Sequence, residues 1–183
     1  IEINQLLESK NIRYVESPVM GGPVQAEQGV LGAIVGATNQ NFELAKKILL
    51  TFCKEVFHFG NIGMGAKTKL LSNFLALGTT TFVIETFKAA NKLEIDLQKF
   101  YDVAKLGSGN SGALNRIADK AIKKDYKGYI FSVRNALKDL SYINDLLKDH
   151  QNAEKLSALT KSIYQEEVNN GKGDLLMSEL IKD

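Results

Sequence analysis

The sequence predicts an α/β segment followed by an all-α segment that begins with one long helix. Three observations predict this fold class. Short apolar runs of β type alternate with a helical stretch in the first third of the chain, apolar residues recur at helical spacing through the remainder, and that spacing continues from about residue 66 to residue 93. A length of 183 residues suits two small domains, which we place at residues 1–64 and 65–183.

The α/β segment contains three predicted strands, at residues 13–15, 32–36 and 55–59, each with a Gly or Pro at or near its end. A helix is expected between the last two, at residues 41–52, because its apolar residues recur at helical spacing. Residues 1–10 resemble the middle of a helix, and the chain opens without Met. The sequence is therefore expected to be a fragment of a longer protein.

The all-α segment contains several helices at the spacing typical of one apolar face. They are expected at residues 66–93, 97–106, 113–123, 132–148 and 153–168, with a short last turn at 177–181.

Composition and charge exclude several classes of function. The chain has 23 Lys and Arg against 21 Asp and Glu, so its net charge of +2 exerts little long-range attraction on nucleic acid or an anionic membrane. Polar residues interrupt the longest apolar run, so no membrane span is expected. The single Cys53 and the lack of a Cys/His cluster predict no internal disulfide and no metal site, which suits the cytoplasm.

The first candidate site is the turn at residues 17–23. Two consecutive glycines, Gly21 and Gly22, follow Met20 and allow backbone N–H groups to approach a carboxylate or a phosphate. A tight turn that needs a positive φ selects glycine equally well, so a purely structural role stays open.

The second candidate site combines a glycine loop with the start of the long helix. Lys69 and Asn73 are four residues apart, so both side chains project from one face of that helix. An ammonium and an amide in this arrangement can act on one substrate oxygen. The structural alternative is an exposed Lys beside an N-terminal amide.

The third candidate is the loop at residues 107–112, which has the pattern G-x-G-x-x-G. We reject it as a dinucleotide fingerprint because a predicted helix precedes it, whereas that fingerprint follows a strand. Polar residues of this loop, Ser108, Asn110 and Ser111, either line a pocket or belong to an ordinary connection between helices.

The fourth candidate is the pair Lys138 and Asp139, on the helix that follows Phe131. A surface ion pair is the structural alternative for these two charges. His58 lies in an alternating apolar run and is expected to be a strand residue, and Cys53 is expected to be buried and inert.

Taken in order, these motifs resemble one family. Residues Glu16 to Gly22 are similar to a D-A-P-V-S-G-G motif, and the helix start is similar to G-x-G-x-x-x-K-x-x-N-N, which selects Lys69 rather than Lys67. Both motifs belong to the β-hydroxyacid dehydrogenases, which include 3-hydroxyisobutyrate dehydrogenase, tartronate semialdehyde reductase and the glyoxylate/succinic semialdehyde reductases. The stretches that carry the resemblance lie at residues 16–22, 26–37, 63–73, 85–96, 107–111, 131–140 and 171–174.

The resemblance implies a fold, an activity and a cofactor. Residues 1–64 would be the remnant of a Rossmann-type nucleotide-binding domain whose first half, with the true glycine fingerprint, has no counterpart in this sequence. Residues 65–183 would be the family's all-helical domain, entered through one long interdomain helix. The parent enzyme would use NAD or NADP to interconvert a 3-hydroxy acid and its semialdehyde, and the fragment alone is expected to be inactive.

The resemblance also implies roles for particular residues. Lys69 would be the general acid/base, and Asn73 would orient the same substrate oxygen or the Lys. The positions implied for substrate binding are Met20, Gly21, Gly22 and Ser108, with the two glycine N–H groups holding the substrate carboxylate. The positions implied for the nicotinamide edge of the cleft are Phe131, Lys138 and Asp139, with Asp139 fixing the helix that carries Lys138.

Four residues depart from the family's motifs. They are Met20 in place of Ser, Ser72 in place of Asn, Glu94 in place of Gly and Leu176 in place of Asp. These departures leave the substrate open. They also leave open a non-catalytic relative whose helical domain serves oligomerisation, and a reductase of imines or sugar acids.

The apolar faces of the helices predict an assembly. Residues 75–87 are apolar around much of the helix and are expected to be buried on most sides, and a later helix carries a broad apolar stripe between residues 137 and 147. Together with the resemblance, these faces predict a homodimer or homotetramer that forms through the helical domain. The expected partner is a small carboxylate substrate, and no binding to nucleic acid or to a membrane is expected.

Overall fold

The computed structural model describes residues 2–182. Its chain forms two compact units, Ile1–Ser72 and Asn73–Asp183, and one helix runs through the boundary between them. The strands are β1 (Val19–Met20), β2 (Leu31–Val35) and β3 (Cys53–His58). The helices are α1 (Glu2–Glu8), α2 (Pro23–Glu27), α3 (Asn39–Leu49), α4 (Met64–Lys92), α5 (Leu97–Leu106), α6 (Gly112–Ala121), α7 (Val133–Leu146), α8 (Gln151–Asn169) and a 3₁₀ helix, Met177–Lys182.

The first unit is built on a three-stranded sheet in the order β1-β2-β3. β1 is antiparallel to β2, and β2 is parallel to β3 through the crossover helix α3. Helix α3 covers one face of the sheet with Phe42 and Leu49, which pack on the inward residues of β2. The buried residues of this core are Ala33, Val35, Ala37, Phe42, Leu49 and Cys53.

The strand expected at residues 13–15 is wrong. In the structure, Glu16 forms an isolated bridge with Gly36, and the first strand is Val19–Met20, inside the glycine-containing motif. Residues before Glu16 find no ladder partner because the chain opposite them leaves the sheet: the Ala37 N–H bonds to the Gly60 carbonyl, and Thr38 caps α3. The alternating pattern at 13–15 could not reveal where its partner strand ends.

The long helix begins at Met64, within two residues of the expected start. Its environment is one-sided. Leu77, Ile84 and Phe87 are buried, whereas Leu75 is 74% exposed and Phe82 is 72% exposed. The expectation that residues 75–87 are buried on most sides is therefore wrong for the single chain, because the other helices of the second unit cover only one face.

Helix α4 is long and apolar enough to cross a membrane by length and composition, which corrects the expectation that no segment has this property. Most of the residues that interrupt its apolar run are Ser and Thr, which lower the mean hydropathy less than charged residues would. A core helix of a soluble protein passes the same test, so this single helix is weak evidence for a membrane span.

The second unit consists of the remainder of α4 and the helices that follow. The apolar stripe expected on α7 is confirmed, since Leu140 and Ile143 are fully buried. The connection between α7 and α8 is short, as in an antiparallel helix pair. The buried apolar residues of α5 to α8 and of the 3₁₀ helix are Tyr101, Ala113, Leu114, Ile117, Ala118, Val133, Ala136, Leu140, Ile143, Leu147, Tyr164, Met177, Leu180 and Ile181.

The C-terminal segment fixes the start of α7. The Val133 N–H donates to the Leu175 carbonyl and the Arg134 N–H to the Gly173 carbonyl, both at 2.9 Å. These bonds satisfy donors that a helix N-terminus leaves without partners. A Cβ on Gly173 would lie 2.8 Å from Nη2 of Arg134, the far end of a flexible side chain that is able to move aside, so the two backbone bonds and not the glycine hold the helix start. The backbone of the glycine motif near the C-terminus therefore positions the helix that carries Lys138 and Asp139.

Candidate active site

The turn after β1 needs its first glycine. Gly21 has φ +117°, and a Cβ there would lie 2.7 Å from Cδ2 of Leu31. The N–H of Gly22 donates to Oε1 of Gln25 at 2.9 Å, at the start of the short helix α2. A carboxylate that uses the Gly22 N–H must therefore displace an exposed Gln amide, and the carboxylate-binding role of the two glycines stays a prediction.

Glu16 connects this turn to the start of α4. Its Oε1 accepts hydrogen bonds from the N–H groups of Gly63 at 2.8 Å, Gly65 at 2.8 Å and Ala66 at 3.2 Å. A carboxylate at this position satisfies the donors of the helix N-terminus and interacts favourably with the helix dipole. No role was expected for Glu16, although its position in the motif, five residues before Gly21, was a usable signal.

Glu16→Ala is expected to lower the free energy of unfolding by about 1–2 kcal/mol, because it leaves three N–H groups of the helix start without their acceptor. Thermal or urea unfolding measures the change. Glu27→Ala, at an exposed carboxylate on α2, is the matched control and is expected to change stability by less than about 0.5 kcal/mol. Equal effects of the two substitutions would contradict the capping role.

Two residues that depart from the family's motifs lie in contact within the first unit. Oγ of Ser72, on α4, lies 4.0 Å from Sδ of Met20, at the end of β1. Met20 pairs across the sheet with Gly32, and a Cβ on Gly32 would lie 3.3 Å from Cε of Met20. The thioether therefore extends over a residue without a side chain and ends against the Ser72 hydroxyl.

Lys69 lies in the second turn of α4 and is half-buried, whereas Lys67 is exposed. The glycine loop before it is shaped by Gly63, which has φ +97°, and by Gly65, which has no room for a side chain. The loop geometry thus explains both glycines without a ligand. That Lys69 faces Gly21 and Gly22 stays a prediction.

In the second unit, Asp139 joins two of the expected site residues. Nδ2 of Asn73 donates to Oδ2 of Asp139 at 2.8 Å, and Nζ of Lys138 lies 3.1 Å from Oδ1 of the same carboxylate. The Asp139 side chain is 14% exposed and that of Lys138 is 57% exposed. Because the carboxylate takes an N–H of the amide, it fixes which way the Asn73 amide faces. This contact is beyond the helix-fixing role that the resemblance implied for Asp139.

The glycine-rich loop lies between helices α5 and α6. It therefore follows a helix, whereas a dinucleotide fingerprint follows a strand. Ser111 caps α6 by accepting from the Leu114 N–H at 3.1 Å. Ser108 is exposed and lines a cavity of about 400 Å³ within the second unit, together with Asn110 and the exposed ring of Phe82.

The remaining candidates have structural partners. Phe131 is half-buried and packs edge-on against Tyr129, with ring centroids 6.4 Å apart. His58 lies in β3, with Nε2 2.8 Å from the Ala37 carbonyl and its ring stacked on Phe42. The expectation of a strand histidine is confirmed.

Cys53 begins β3 and is 3% exposed, and this burial raises the pKa of its thiol. A protonated thiol without access to solvent is a poor nucleophile. Within residues 2–182, His, Cys, Asp and Glu form no group of three that is able to hold a metal ion.

Comparison with protein families matches nearly the whole chain. Residues 63–183 match the family described as "NAD-binding of NADP-dependent 3-hydroxyisobutyrate dehydrogenase", and residues 1–60 match the "NAD binding domain of 6-phosphogluconate dehydrogenase".

Among individual proteins, the chain is 29% identical to L-threonate dehydrogenase of Haemophilus influenzae and 27% identical to 2-(hydroxymethyl)glutarate dehydrogenase of Eubacterium barkeri. These alignments cover 98% and 100% of this chain and 60% of each relative. The chain thus spans about three fifths of the length of these two relatives.

The fold agrees with that of a solved relative. A crystal structure of 3-hydroxyisobutyrate dehydrogenase from Salmonella typhimurium superposes with a TM-score of 0.84 at 25% identity, over 99% of this chain and 64% of that one. The expected fold class, a Rossmann-type remnant followed by a helical domain with a long helix, is confirmed. The chain belongs to the β-hydroxyacid dehydrogenase family, whose members are NAD(P)-dependent dehydrogenases.

Proposed function

We propose that the protein containing this chain interconverts a 3-hydroxy acid and its semialdehyde with NAD or NADP, with Lys69 as general acid/base. One observation carries the proposal: Lys69 follows the glycine loop that Glu16 caps, on the motif position of the family's lysine. The same unit contains the Met20 to Gly22 turn, which supplies groups for the substrate. The exposed Lys67 has no matching motif position.

When bound, the nicotinamide supplies a hydride to the carbonyl carbon or accepts one from the alcohol carbon. In the direction of reduction, the Lys69 ammonium donates a proton to the carbonyl oxygen as negative charge develops there. In oxidation, the neutral amine takes the proton of the alcohol. Asn73 orients the same oxygen, and the Gly21 N–H binds the substrate carboxylate.

The chain's residues fit the nicotinamide end of such a cofactor. Lys138 presents a largely exposed ammonium that Asp139 holds in place, a cationic donor suited to a carboxamide or phosphate oxygen. The one G-x-G-x-x-G pattern in this sequence lies between two helices, in the wrong context for a diphosphate. We therefore assign the nicotinamide contact to Lys138 and Phe131, and we do not assign a diphosphate contact to the glycine loop at residues 107–112.

Steady-state assays of the protein expressed from its whole gene test the proposal. Reduction of NAD⁺ or NADP⁺ is followed with 3-hydroxyisobutyrate, 3-hydroxypropionate, glycerate and L-threonate as substrates. Turnover of at least one hydroxy acid that is lost in Lys69→Ala and kept in Lys67→Ala is expected. No turnover with any of them, in the presence of measured nicotinamide binding, would favour the alternative of a non-catalytic relative.

The names of the relatives do not decide the substrate. L-threonate carries a hydroxyl at C2, whereas 2-(hydroxymethyl)glutarate carries carbon at that position. Both acids carry a carboxylate, which supports a small carboxylate as the substrate. The assay with the different hydroxy acids tests which substituent at C2 the protein accepts.

Asp139→Ala is expected to lower kcat by about tenfold or more with little change in the affinity for nicotinamide, because the Asn73 amide loses the acceptor that orients it. Asp139→Asn keeps an acceptor oxygen and is expected to recover part of kcat. Asp145→Ala, at an exposed carboxylate one and a half turns further along α7, is the control. If only the KM for nicotinamide changed, Asp139 would act by holding Lys138 in place and not by orienting Asn73.

We also propose that the protein forms a homo-oligomer through the helical unit. The exposed face of α4 with Leu75 and Phe82 supports this, since exposed large apolar side chains at one helical spacing favour an interface. Light scattering at micromolar concentration is expected to give a dimer or tetramer mass, and Phe82→Asp is expected to lower it. A clean monomer for the unsubstituted protein would contradict the assembly. Val103→Asp, at an exposed residue of α5, is the control.

A further inference from the structure

We propose that Met20 and Ser72 act as a coupled pair that sets substrate specificity. The pair selects 3-hydroxy acids with hydrogen or an alkyl group at C2 over those with a hydroxyl at C2. The inference rests on the proposed function, because it concerns the substrate of the same site. It is carried by the packing of the two side chains within the first unit.

Met20 occupies space that a glycine on the neighbouring strand leaves open. Met20 ends β1 and stands opposite Gly32, whose missing side chain leaves room for the Met20 methyl group. A Cβ on Gly32 would lie 3.3 Å from that methyl carbon, closer than ordinary van der Waals contact. The thioether is thus held against the sheet, and Met20 is directly followed by the Gly21–Gly22 turn.

The hydroxyl of Ser72 is the second group of the pair. It lies 4.0 Å from the sulfur of Met20 and is directed toward it as a donor, although a thioether is a weak acceptor. Ser72 is half-buried and lies three residues after Lys69, so less than one turn of α4 separates it from the proposed acid/base. The hydroxyl that this face offers is therefore turned toward Met20.

The pair acts on the substrate through the substituent at C2. A C2 hydroxyl that meets a thioether loses water and gains no strong hydrogen bond, which disfavours it. A C2 methyl group gains contact with a polarizable, apolar side chain. Pockets of this apolar kind discriminate only moderately, by about 10- to 100-fold. The expected preference is therefore real but limited.

The two positions act together because their side chains are in contact. Replacing Met20 alone by Ser removes the side chain that fills the space between Gly32 and Ser72. An Asn at position 72, which is larger than Ser, refills part of that space and adds a hydrogen-bond donor. Substitutions in direct contact are expected to be non-additive, so the double variant Met20→Ser/Ser72→Asn should differ from the product of the single effects.

The test measures kcat/KM for three acids that differ only at C2: 3-hydroxyisobutyrate with methyl, 3-hydroxypropionate with hydrogen and glycerate with hydroxyl. The protein expressed from its whole gene is expected to prefer 3-hydroxyisobutyrate over glycerate by at least about tenfold. Met20→Ser is expected to lower this ratio by at least about fivefold, and the double variant to lower it further. Met20→Leu keeps an apolar side chain and is expected to keep the ratio, whatever its effect on the absolute rates.

Thermal unfolding of each variant verifies that the first unit is folded, and the ratio cancels any loss of active protein. Equal kcat/KM for glycerate and 3-hydroxyisobutyrate in the unsubstituted protein would overturn the inference and leave the proposed function intact. A ratio that Met20→Ser leaves unchanged would overturn it as well. The proposed function itself would be overturned if the protein turned over none of the three acids and if Lys69→Ala left the turnover of any other substrate unchanged.

Discussion

Lys69→Ala is expected to lower kcat by about 10²- to 10⁴-fold while nicotinamide binding stays nearly unchanged, because the substitution removes proton transfer to the reacting oxygen. Stopped-flow or steady-state reduction of a semialdehyde measures kcat, and fluorescence of the reduced nicotinamide measures binding. A loss in kcat without a loss in binding separates the chemical step from the nucleotide contacts.

Lys67→Ala is the matched control for this prediction. Lys67 lies two residues earlier on α4 and is exposed, so its loss is expected to change kcat by less than about twofold. Lys69→Arg is a second variant, since it keeps a positive charge that does not release a proton readily. It is expected to recover little of kcat. A loss of less than tenfold in Lys69→Ala would assign the proton to another group, such as water or Lys138.

Gly65→Ala is expected to lower the free energy of unfolding by at least about 2 kcal/mol. A Cβ on Gly65 would lie 2.8 Å from the backbone nitrogen of Gly36 and 2.8 Å from the carbonyl oxygen of Ile34. Both atoms belong to the backbone at or beside the central strand of the sheet and cannot rotate away as a flexible side chain does. Relief requires that the start of α4 moves away from β2, which breaks the contacts of Glu16.

Gly78→Ala on the same helix is the control for Gly65→Ala. A Cβ at Gly78 meets no atom within 4 Å among the described residues, and Gly78 lies in the interior of α4. Alanine there is expected to stabilise the helix by about 0.5–1 kcal/mol. The two substitutions should therefore shift the thermal midpoint in opposite directions. A shift in the same direction and of similar size would contradict the close packing of Gly65 on β2.

The helices were predictable because each carries its information locally. The helix expected at residues 97–106 was found with those bounds, and α4 begins at Met64, where a glycine loop ends. Apolar spacing of 3.6 residues and punctuation by Gly need no knowledge of distant residues. The strand at residues 13–15 was wrong because a strand depends on its partner, and the chain opposite these residues turns into α3.

The candidate site was predictable only through its motifs. The spacing of Lys69 and Asn73 follows from one helix, but spacing alone left an exposed Lys as an alternative. The resemblance to the family's motifs, and not composition or periodicity, selected this lysine. The match of residues 63–183 to the family confirms the family, while the role of each residue stays a prediction.

The sequence by itself determined the helices from α3 onward, the two strands on either side of α3, the family and the positions of the motifs, because these depend on local spacing and on residue identity. Only the tertiary structure decided which residues meet across the chain. Glu16 reaches the helix start 47 residues later, Asp139 holds Asn73 over 66 residues, and Ser72 meets Met20 over 52 residues. Such contacts follow from how the elements pack, and no local pattern in the sequence encodes the partner of a side chain that lies tens of residues away.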